Sequence, residues 1–324
     1  MKKRIVYITI CIIGSVLLVA FMYLASIYNS RSSNGFMRML PSHKVMGVIG
    51  NDIQYNSWYM CGQQGNSIFL GNYQAPFKLL ELDSNLKGDT IVSLSGFAKL
   101  SLYKGASTQL DSSIFFLMDG LKPIALRTNR ASLEFSKQIN IPYFTGSIPI
   151  SANSFALRYV NSKGENVLAK FSIGSDSLKN TNLLEKQIDG IFCTDGEMVK
   201  VPGSSKLIYV YYYRNQFLCA DSNLNLLYKG KTIDTISHAQ IKVAKIKSTG
   251  QITMAAPPLY VNKRASANEK YLFIQSALRA NNETEYMIKD VSMIDVYAIK
   301  DGKYQFSFYL PDFKGNKIRD FKVY

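Results

Sequence analysis

The sequence is poor in the residue types on which most enzymes build their active sites. In 324 residues it contains two histidines, four cysteines and one tryptophan. It has no Cys-x-x-Cys pair, no His-Glu-x-x-His motif and no Gly-x-Ser-x-Gly elbow. These absences argue against zinc-knuckle, zinc-protease and α/β-hydrolase chemistry. We therefore assign no catalytic residue from the sequence.

A long run without charge lies near the N-terminus. The basic start Lys2-Lys3-Arg4 is followed by 24 uncharged residues, from Ile5 to Tyr28. As a helix that rises about 1.5 Å per residue, this run exceeds the roughly 30 Å hydrocarbon core of a bilayer. The alternative is a cleaved secretory signal, whose apolar part is usually about 7–15 residues long and ends at a small-residue cleavage site. We predict a membrane anchor over residues 1–28 with a cytoplasmic N-terminus.

The rest of the chain divides into two parts. Residues 29–50 are rich in Ser, Asn, Arg and Gly and have little apolar periodicity, so we predict a tether. Residues 51–324 then form an exported domain. The net charge of +15 predicts attraction to anionic surfaces such as lipid headgroups, acidic glycans or an acidic protein. The alternative is that solvated lysines only keep the domain soluble, and export argues against a nucleic-acid partner.

Residues 51–324 show strand patterns rather than helix patterns. No window sustains apolar residues at i, i+3, i+4 and i+7 over three turns, whereas short apolar runs alternate with Gly, Asn, Asp and Ser. Several pairs of runs flank a polar tip and predict hairpins, among them residues 191–201 (IFCTDGEMVKV) and the pair around Asp301-Gly302. The abundance of Tyr (21) and Phe (18) also suits pleated sheets.

One four-residue turn occurs twice. Asp83-Ser84-Asn85-Leu86 and Asp221-Ser222-Asn223-Leu224 lie 138 residues apart, and neighbouring residues match at the same spacing. This spacing equals three periods of about 46 residues, and a repeat of that length is typical of a four-stranded propeller blade. We predict an all-β fold, a β-propeller of about six four-stranded blades after a single N-terminal transmembrane helix. A pair of β-sandwiches is the alternative.

Three segments carry a family resemblance: residues 67–83 (SIFLGNYQAPFKLLELD), 253–276 (TMAAPPLYVNKRASANEKYLFIQS) and 292–323 (SMIDVYAIKDGKYQFSFYLPDFKGNKIRDFKV). In them the chain resembles the uncharacterised membrane-anchored β-propeller proteins of bacterial envelopes, of the six-bladed TolB-like or NHL-like type. The resemblance implies a bacterial inner-membrane protein with a periplasmic or other extracytoplasmic C-terminal domain, and it implies no catalytic residues. Such proteins often continue with another hairpin after the segment that matches residues 320–323. We therefore expect either ring closure by the segment around Met46–Ile53 or a short last blade.

Binding residues of a propeller are expected in the loops at one end of the ring. Arginine makes bidentate contacts with carboxylate or phosphate, and tyrosine and tryptophan offer flat amphipathic contact surfaces. A structural or surface role is the alternative for each candidate. The predicted ligand-binding residues are Trp58, Tyr73, Arg127, Arg158, Lys263 and Arg264.

No motif predicts a metal site or another cofactor. Asp221 opens a stretch like a calcium loop, but Leu226 replaces the glycine of position six and Thr232 the glutamate of position twelve. The sequence alone leaves open whether carboxylates that are distant in the chain hold a calcium ion in the propeller channel. Among the three cysteines outside the anchor, Cys193 and Cys219 are the pair to test for a disulfide, with buried free thiols as the alternative.

These observations leave functions of different classes. The first hypothesis is a non-catalytic binding or scaffolding module that presents its funnel to a peptide, a glycan or an envelope protein. The second is a lactonase-like or other hydrolase with a metal in the channel, because carboxylates that meet only in space leave no sequence signature. The third is a subunit of an envelope complex whose anchor pairs with another membrane protein. The lack of a catalytic motif favours the first hypothesis.

Overall fold

The computed structural model describes residues 2–30, 34–42, 49–97, 100–103, 105–175 and 177–324. An N-terminal helix, α1 (Lys2–Ser30), precedes the sheets. Its segment Val6–Tyr23 is apolar, is long enough to cross a bilayer and is not buried against the rest of the protein. The predicted N-terminal apolar helix is confirmed, and its length and composition suit a membrane anchor as well as a signal sequence.

Within the described residues, five four-stranded antiparallel sheets follow one another along the chain, here called blades 1 to 5, and each keeps its strands in chain order. Blade 1 contains β1 (Trp58–Gln64), β2 (Ser67–Asn72), β3 (Lys78–Asp83) and β4 (Thr90–Ser93). Blade 2 contains β5 (Ser107–Asp111), β6 (Ile114–Asp119), β7 (Ile124–Asn129) and β8 (Lys137–Asn140). Blade 3 contains β9 (Gly146–Ser151), β10 (Ser154–Val160), β11 (Asn166–Ser172) and β12 (Ser177–Thr181).

Blade 4 contains β13 (Gly196–Lys200), β14 (Leu207–Tyr211), β15 (Gln216–Ala220) and β16 (Leu226–Lys231). A two-stranded ribbon follows, formed by β17 (Val243–Lys245) and β18 (Ile252–Met254). Blade 5 contains β19 (Asn262–Ala267), β20 (Tyr271–Ser276), β21 (Val291–Ala298) and β22 (Tyr304–Pro311), with the short helix α2 (Glu285–Ile288) between β20 and β21.

The first strands of successive blades contact one another, from β1 through β5, β9 and β13 to β19. They therefore surround a common axis, which is the arrangement of a β-propeller. The predicted fold is confirmed, but the described residues hold five blades instead of about six. The difference arises because the connection from blade 4 to blade 5 carries the β17–β18 ribbon, which lengthens the chain without adding a blade.

Apolar clusters between neighbouring blades hold the ring together. Phe69 and Leu79 of blade 1 pack with Phe115 and Leu126 of blade 2, and the Phe69 and Phe115 rings meet edge to face at 5.2 Å. Equivalent clusters join blades 2 and 3, 3 and 4, and 4 and 5. Burial of one such side chain contributes about 1.5–3 kcal/mol. A blade alone would expose these faces, so each blade depends on its neighbours.

The repeated turn occupies equivalent positions in blades 1 and 4, where it joins the third strand to the fourth. The Asp83 carboxylate accepts hydrogen bonds from the backbone N–H groups of Asn85 (2.9 Å) and Lys87 (2.8 Å). The Asp221 carboxylate makes the equivalent pair of bonds, at 2.8 and 2.9 Å. The aspartate carboxylate thus accepts the hydrogen bonds of two N–H groups for which the turn offers no backbone carbonyl. The predicted turn is confirmed in both copies.

The last residue of each turn is a leucine with left-handed backbone, φ +56° at Leu86 and φ +60° at Leu224. This region is unfavourable for a residue with a Cβ. Leu224 is buried in the cluster between blades 3 and 4, and Leu86 packs against blade 1. The apolar contact and the carboxylate bonds together hold each leucine in this conformation.

The junction between blade 5 and blade 1, here called the seam, is closed by polar contacts. Residues 312–324, here called the tail, leave β22 and hydrogen-bond to both blades. The Asp320 carboxylate accepts a hydrogen bond from the Met60 N–H on β1 at 3.2 Å. The Val323 N–H donates to the Ser266 hydroxyl on β19 at 2.9 Å. The tail therefore bridges the first strands of the two blades.

Arg319 extends this bridge in both directions. Its guanidinium donates to the Trp58 carbonyl at 2.9 Å, and its own carbonyl accepts from Arg264 Nε at 2.9 Å. The last blade has four strands, so the expected short last blade is wrong. Of the segment 46–53, which is the other expected closure, residues 46–48 lie outside the described residues, and Ile53 packs against blade 1.

Residues 34–40, here called the strap, pack along blade 5. The buried Arg38 side chain donates to the carboxylates of Glu283 at 2.5 Å and Asp295 at 2.7 Å. Burial disfavours the charged guanidinium, but these two carboxylates outweigh that effect and raise the pKa of Arg38 above its ordinary value. Part of the predicted tether thus packs against the propeller. The boundaries at residues 28 and 50 stay a prediction.

Replacement of Asp221 tests the repeated turn. Asp221→Ala is expected to lower the free energy of unfolding by about 1 kcal/mol, because two backbone N–H groups lose a charged acceptor. The same bonds lower the pKa of Asp221, so the difference should shrink as the pH falls from about 4 through that lowered value. Thermal unfolding against pH measures the effect. Ser222→Ala, which keeps the carboxylate, is the control, and equal losses in both variants would contradict the role of Asp221.

Replacement of Arg38 tests the strap. Arg38→Ala is expected to lower the free energy of unfolding by about 3 kcal/mol or more, because it leaves two buried carboxylates without a counter-charge. Chemical denaturation of the full chain measures the loss. Met37→Ala changes the next, exposed residue and should have little effect. A stability loss no larger for Arg38→Ala than for Met37→Ala would show that the ion pairs do not hold the strap.

Candidate functional site

A cavity of about 940 Å³ lies on the ring axis. Most of its wall is formed by residues of the five first strands and by the tail from Arg319 to Tyr324, and side chains such as Tyr73, Arg158 and Tyr212 complete it. Glycine and small hydroxyl residues at the first strands, such as Gly146, Gly196 and Ser107, leave room along the axis because they project little volume. We call the end where the first strands begin the mouth of the cavity.

The cavity wall carries more basic than acidic side chains. The basic residues are Arg158, Lys200, Arg264, Arg319 and Lys322, and the acidic residues are Asp111, Glu197 and Asp320. Walls of low polarisability strengthen the field of such fixed charges and attract ligands of opposite sign. The wall composition therefore favours an anionic ligand over a cationic one.

Lys200 forms a brace at the end of the cavity opposite the mouth. Its Nζ donates to both carboxylate oxygens of Asp111, at 2.7 and 2.8 Å, and to the Ile150 carbonyl at 3.0 Å. These contacts tie blade 4 to blades 2 and 3. Because all three bonds are made within the protein, Lys200 is a structural residue in this geometry.

Arg158 is also held by the protein. Its guanidinium pairs with the Asp195 carboxylate and donates to the Gly196 carbonyl at 2.7 Å and to the Tyr209 hydroxyl at 3.2 Å. Burial disfavours the charge, but Tyr209 and Asp195 outweigh it and raise the pKa of Arg158. Its Nε donates to the Thr145 hydroxyl at 3.0 Å, and all the other bonds come from Nη1. Arg158 therefore joins blade 3 to blade 4, and only its Nη2 meets no acceptor among the described residues.

Arg264 differs from these two residues because most of its guanidinium is uncommitted. Its Nε donates to the Arg319 carbonyl at 2.9 Å, while Nη1 and Nη2 donate to no acceptor among the described residues. Burial lowers the pKa of Arg264, but Glu197 and then Tyr212 outweigh that effect and raise it. A permanently charged group with two free donor nitrogens at the mouth is suited to bind a carboxylate or phosphate.

Glu197 faces the same part of the cavity. One of its carboxylate oxygens accepts a hydrogen bond from the Ala265 N–H at 2.9 Å. Burial raises the pKa of Glu197, although Lys322 and Arg264 act in the opposite direction. A carboxyl with a raised pKa beside a free arginine can discriminate between ligand groups by charge.

Tyrosines line and flank the mouth, and their rings pack on each other. Tyr73 lies 4.3 Å from the ring of Tyr59, between ring centroids. Tyr213 and Tyr260 lie 5.0 Å apart, and Tyr212 contacts both of them at 6.2 and 6.3 Å. Each contact covers part of a ring, while Tyr73 and Tyr260 remain 43% and 42% exposed and can contact a ligand.

The structure brings Tyr73, Arg158 and Arg264 to the cavity wall. The other three predicted binding residues lie elsewhere. Trp58 packs with the apolar cluster of blade 1, and Lys263 is exposed on β19. For all six residues, a role in ligand binding stays a prediction.

Arg127, the last of the six, joins two blades. It lies on β7 and donates to the Ala152 carbonyl at 2.8 Å and to the Asn153 side-chain oxygen at 2.7 Å. Both acceptors belong to the hairpin between β9 and β10. The side chain therefore connects blade 2 to blade 3 outside the cavity.

The expected hairpin over residues 191–201 is wrong in its first half. The Asp189 carboxylate accepts hydrogen bonds from the N–H groups of Ile191 (2.7 Å) and Phe192 (2.5 Å), which folds residues 189–193 into a turn. The strand β13 begins only at Gly196. Sequence reasoning consequently missed Glu197 as a cavity residue, although the acidic residue directly after Asp195-Gly196 was visible.

The structure also bears on the predicted cysteine pair and on a possible metal site. Cys193 lies in the turn after Asp189, Cys219 lies in β15, and both are free and buried in different apolar clusters. The Cys193–Cys219 disulfide is therefore absent from this structure. Within the described residues no group of three or more His, Cys, Asp or Glu side chains is arranged to hold a metal ion. Calcium in the channel stays a prediction.

The raised pKa of Glu197 predicts how stability depends on pH. Below about 4.3, the ordinary value for glutamate, the carboxyl is protonated in the folded and unfolded chain. As the pH rises through the raised folded-state pKa, the half-buried carboxyl must ionise and stability is lost. Glu197→Gln is thus expected to gain stability relative to the parent between about pH 4 and neutrality. Thermal unfolding across this range measures the gain. The exposed Glu269→Gln is the control, and a pH-independent difference would contradict the assignment.

No family model and no curated protein matches the chain. Among solved structures, a member of the DUF4221 family from Bacteroides vulgatus is similar, with a TM-score of 0.48 and 11% identity over 79% of this chain and 81% of that chain. Hydrazine synthase from Kuenenia stuttgartiensis has a TM-score of 0.41 and 10% identity over 82% of this chain and 70% of that chain. BamB from Moraxella catarrhalis has a TM-score of 0.35 and 10% identity over 76% of this chain and 74% of that chain. Likeness at this level carries no argument about activity, so the propeller assignment rests on the blades of this chain.

Proposed function

We propose that the chain is a single-pass protein of the bacterial inner membrane whose extracytoplasmic β-propeller is a binding module. The apolar, unburied helix α1 supports the membrane location, because such a surface is unfavourable in water. The axial cavity supports the binding role, since a concave site with a few convergent polar groups is the usual form of a ligand site. We propose a carboxylate-bearing peptide segment of an envelope partner as the ligand.

The free end of the Arg264 guanidinium is the observation that carries this proposal. Of the cavity cations, Lys200 and Arg158 are occupied by Asp111 and Asp195. Arg264 is half-buried, and its two terminal nitrogens meet no acceptor in the described part of the chain. A carboxylate at the mouth would supply the missing acceptors in a bidentate geometry.

The packing of the tyrosines favours a peptide over a glycan. Sugar rings bind best on an open aromatic face, whereas the ring of Tyr73 packs at a tilt on Tyr59 and has the Arg319 guanidinium 6.0 Å from its centroid. Tyr212 packs with Tyr213 and Tyr260. The wall instead presents short polar groups such as Thr108 and Ser147. These groups suit the backbone amides of a peptide.

A direct binding measurement tests the proposal. The probe is a fluorescein-labelled hexapeptide of glutamate, and the readout is fluorescence anisotropy with the full chain in lipid nanodiscs. Arg264→Gln is expected to weaken binding about tenfold or more, because a charge-assisted hydrogen bond contributes about 1.5–3 kcal/mol. Lys270→Gln removes the same charge from an exposed residue that does not line the cavity and should leave the affinity nearly unchanged.

Several outcomes would contradict this proposal. Equal weakening by both substitutions would show that only net charge attracts the peptide. Equal binding of a glutamine hexapeptide would exclude recognition of the carboxylate. Tighter, Arg264-dependent binding of an oligogalacturonate would replace the peptide by an acidic glycan.

A further inference from the structure

We propose that the flank of blade 5 that carries the strap docks on the lipid surface of the membrane. This inference rests on the proposed membrane anchoring by α1 and adds which surface of the propeller meets the bilayer.

The connection between α1 and blade 5 is short. Helix α1 ends at Ser30, and the Asn34 side chain already donates to the Arg279 carbonyl at 2.7 Å. The Asn34 carbonyl accepts from the Thr235 hydroxyl at 2.8 Å. Extended chain covers at most about 3.6 Å per residue, so the end of α1 lies within about 15 Å of this flank. A helix that leaves the bilayer at Ser30 therefore holds blade 5 close to the membrane.

The strap alternates like a strand at the edge of a sheet. Its carbonyl at Met39 accepts from the Ser307 N–H on β22 at 2.8 Å. Phe36 and Arg38 point into the protein and are buried, whereas Met37 and Met39 are 67% and 58% exposed. Because side chains alternate between faces along an extended chain, the buried pair forces both methionines outward.

The short helix α2 adds apolar surface beside the strap. Asn282 donates through its side chain to the Arg38 carbonyl at 2.9 Å, and Glu283 pairs with the Arg38 guanidinium, so this segment runs along the strap. Three residues after Glu283, Tyr286 is 89% exposed, and Met287 is also exposed. Two neighbouring segments thus place their apolar side chains in solvent at one flank of the propeller.

The chemistry of these residues fits a bilayer surface. Tyrosine is enriched where hydrocarbon meets headgroups, and flexible methionine side chains adapt to a disordered apolar partner. The net charge of +15 also attracts the chain to anionic headgroups. The buried Arg38 ion pairs would keep the strap in place while the outer face of the strap contacts lipid.

Spin labels in the full chain test the docking. The chain carries Cys11→Ser, the three other cysteines are buried, and a single label is attached after Tyr286→Cys or, as a second site, Met37→Cys. The control is Leu121→Cys, at an exposed leucine in a turn of blade 2. The chain is reconstituted in vesicles of phosphatidylethanolamine and phosphatidylglycerol, and relaxation of each label by oxygen and by a water-soluble nickel complex is measured.

If the flank docks, the labels at positions 286 and 37 are more accessible to oxygen and less accessible to the nickel complex than the label at position 121. If the chain floats with the vesicles but the labels at 286 and 37 are as accessible to nickel as the label at 121, the docking is wrong and the anchoring stands. If the chain does not float with the vesicles, the anchoring itself is wrong, and the docking falls with it.

Discussion

The ring depends on one constraint, which is that a four-stranded sheet has two apolar faces and can bury them only against its neighbours. Phe115 illustrates it, because this residue of blade 2 is fully buried only in the cluster shared with blade 1. Four such clusters join the blades from 1 to 5. Among the described residues no buried apolar cluster joins blade 5 to blade 1, and the polar contacts of the tail close the seam instead.

Ring closure and the candidate site share the same residues. Arg319 holds Trp58 of blade 1 with its guanidinium and Arg264 of blade 5 with its carbonyl. The residue that bridges the seam therefore also fixes the Nε atom of Arg264. Both terminal nitrogens of Arg264 lack an acceptor among the described residues. A change that loosens the tail would alter the stability of the ring and the position of Arg264 together.

Blade 5 connects the proposed functions of the chain. The strap binds it through Arg38, the tail leaves from its last strand, and its first strand carries Arg264. A membrane helix within a few residues of the strap would therefore orient the cavity as well as retain the domain. Binding at the mouth and contact with the membrane would then act on one sheet.

The sequence by itself determined the features that depend on neighbouring residues. The uncharged run predicted α1, and the Asp-Ser-Asn-Leu turn predicted equivalent hairpins, because a carboxylate two residues before a backbone N–H acts locally. The candidate residues Tyr73 and Arg264 followed from residue type alone.

Only the tertiary structure decided the number of blades, the closure of the ring and the composition of the cavity. The ribbon between blades 4 and 5 uses residues that the repeat spacing would assign to a further blade. The repeat itself does not predict this ribbon, so the number of blades could not be read from it. Lys200 and Arg319 meet their partners across many intervening residues. Which strand of a blade lies at the axis is set when the blades pack, so local pattern could not separate Arg264, on the first strand of blade 5, from Arg127, on the third strand of blade 2.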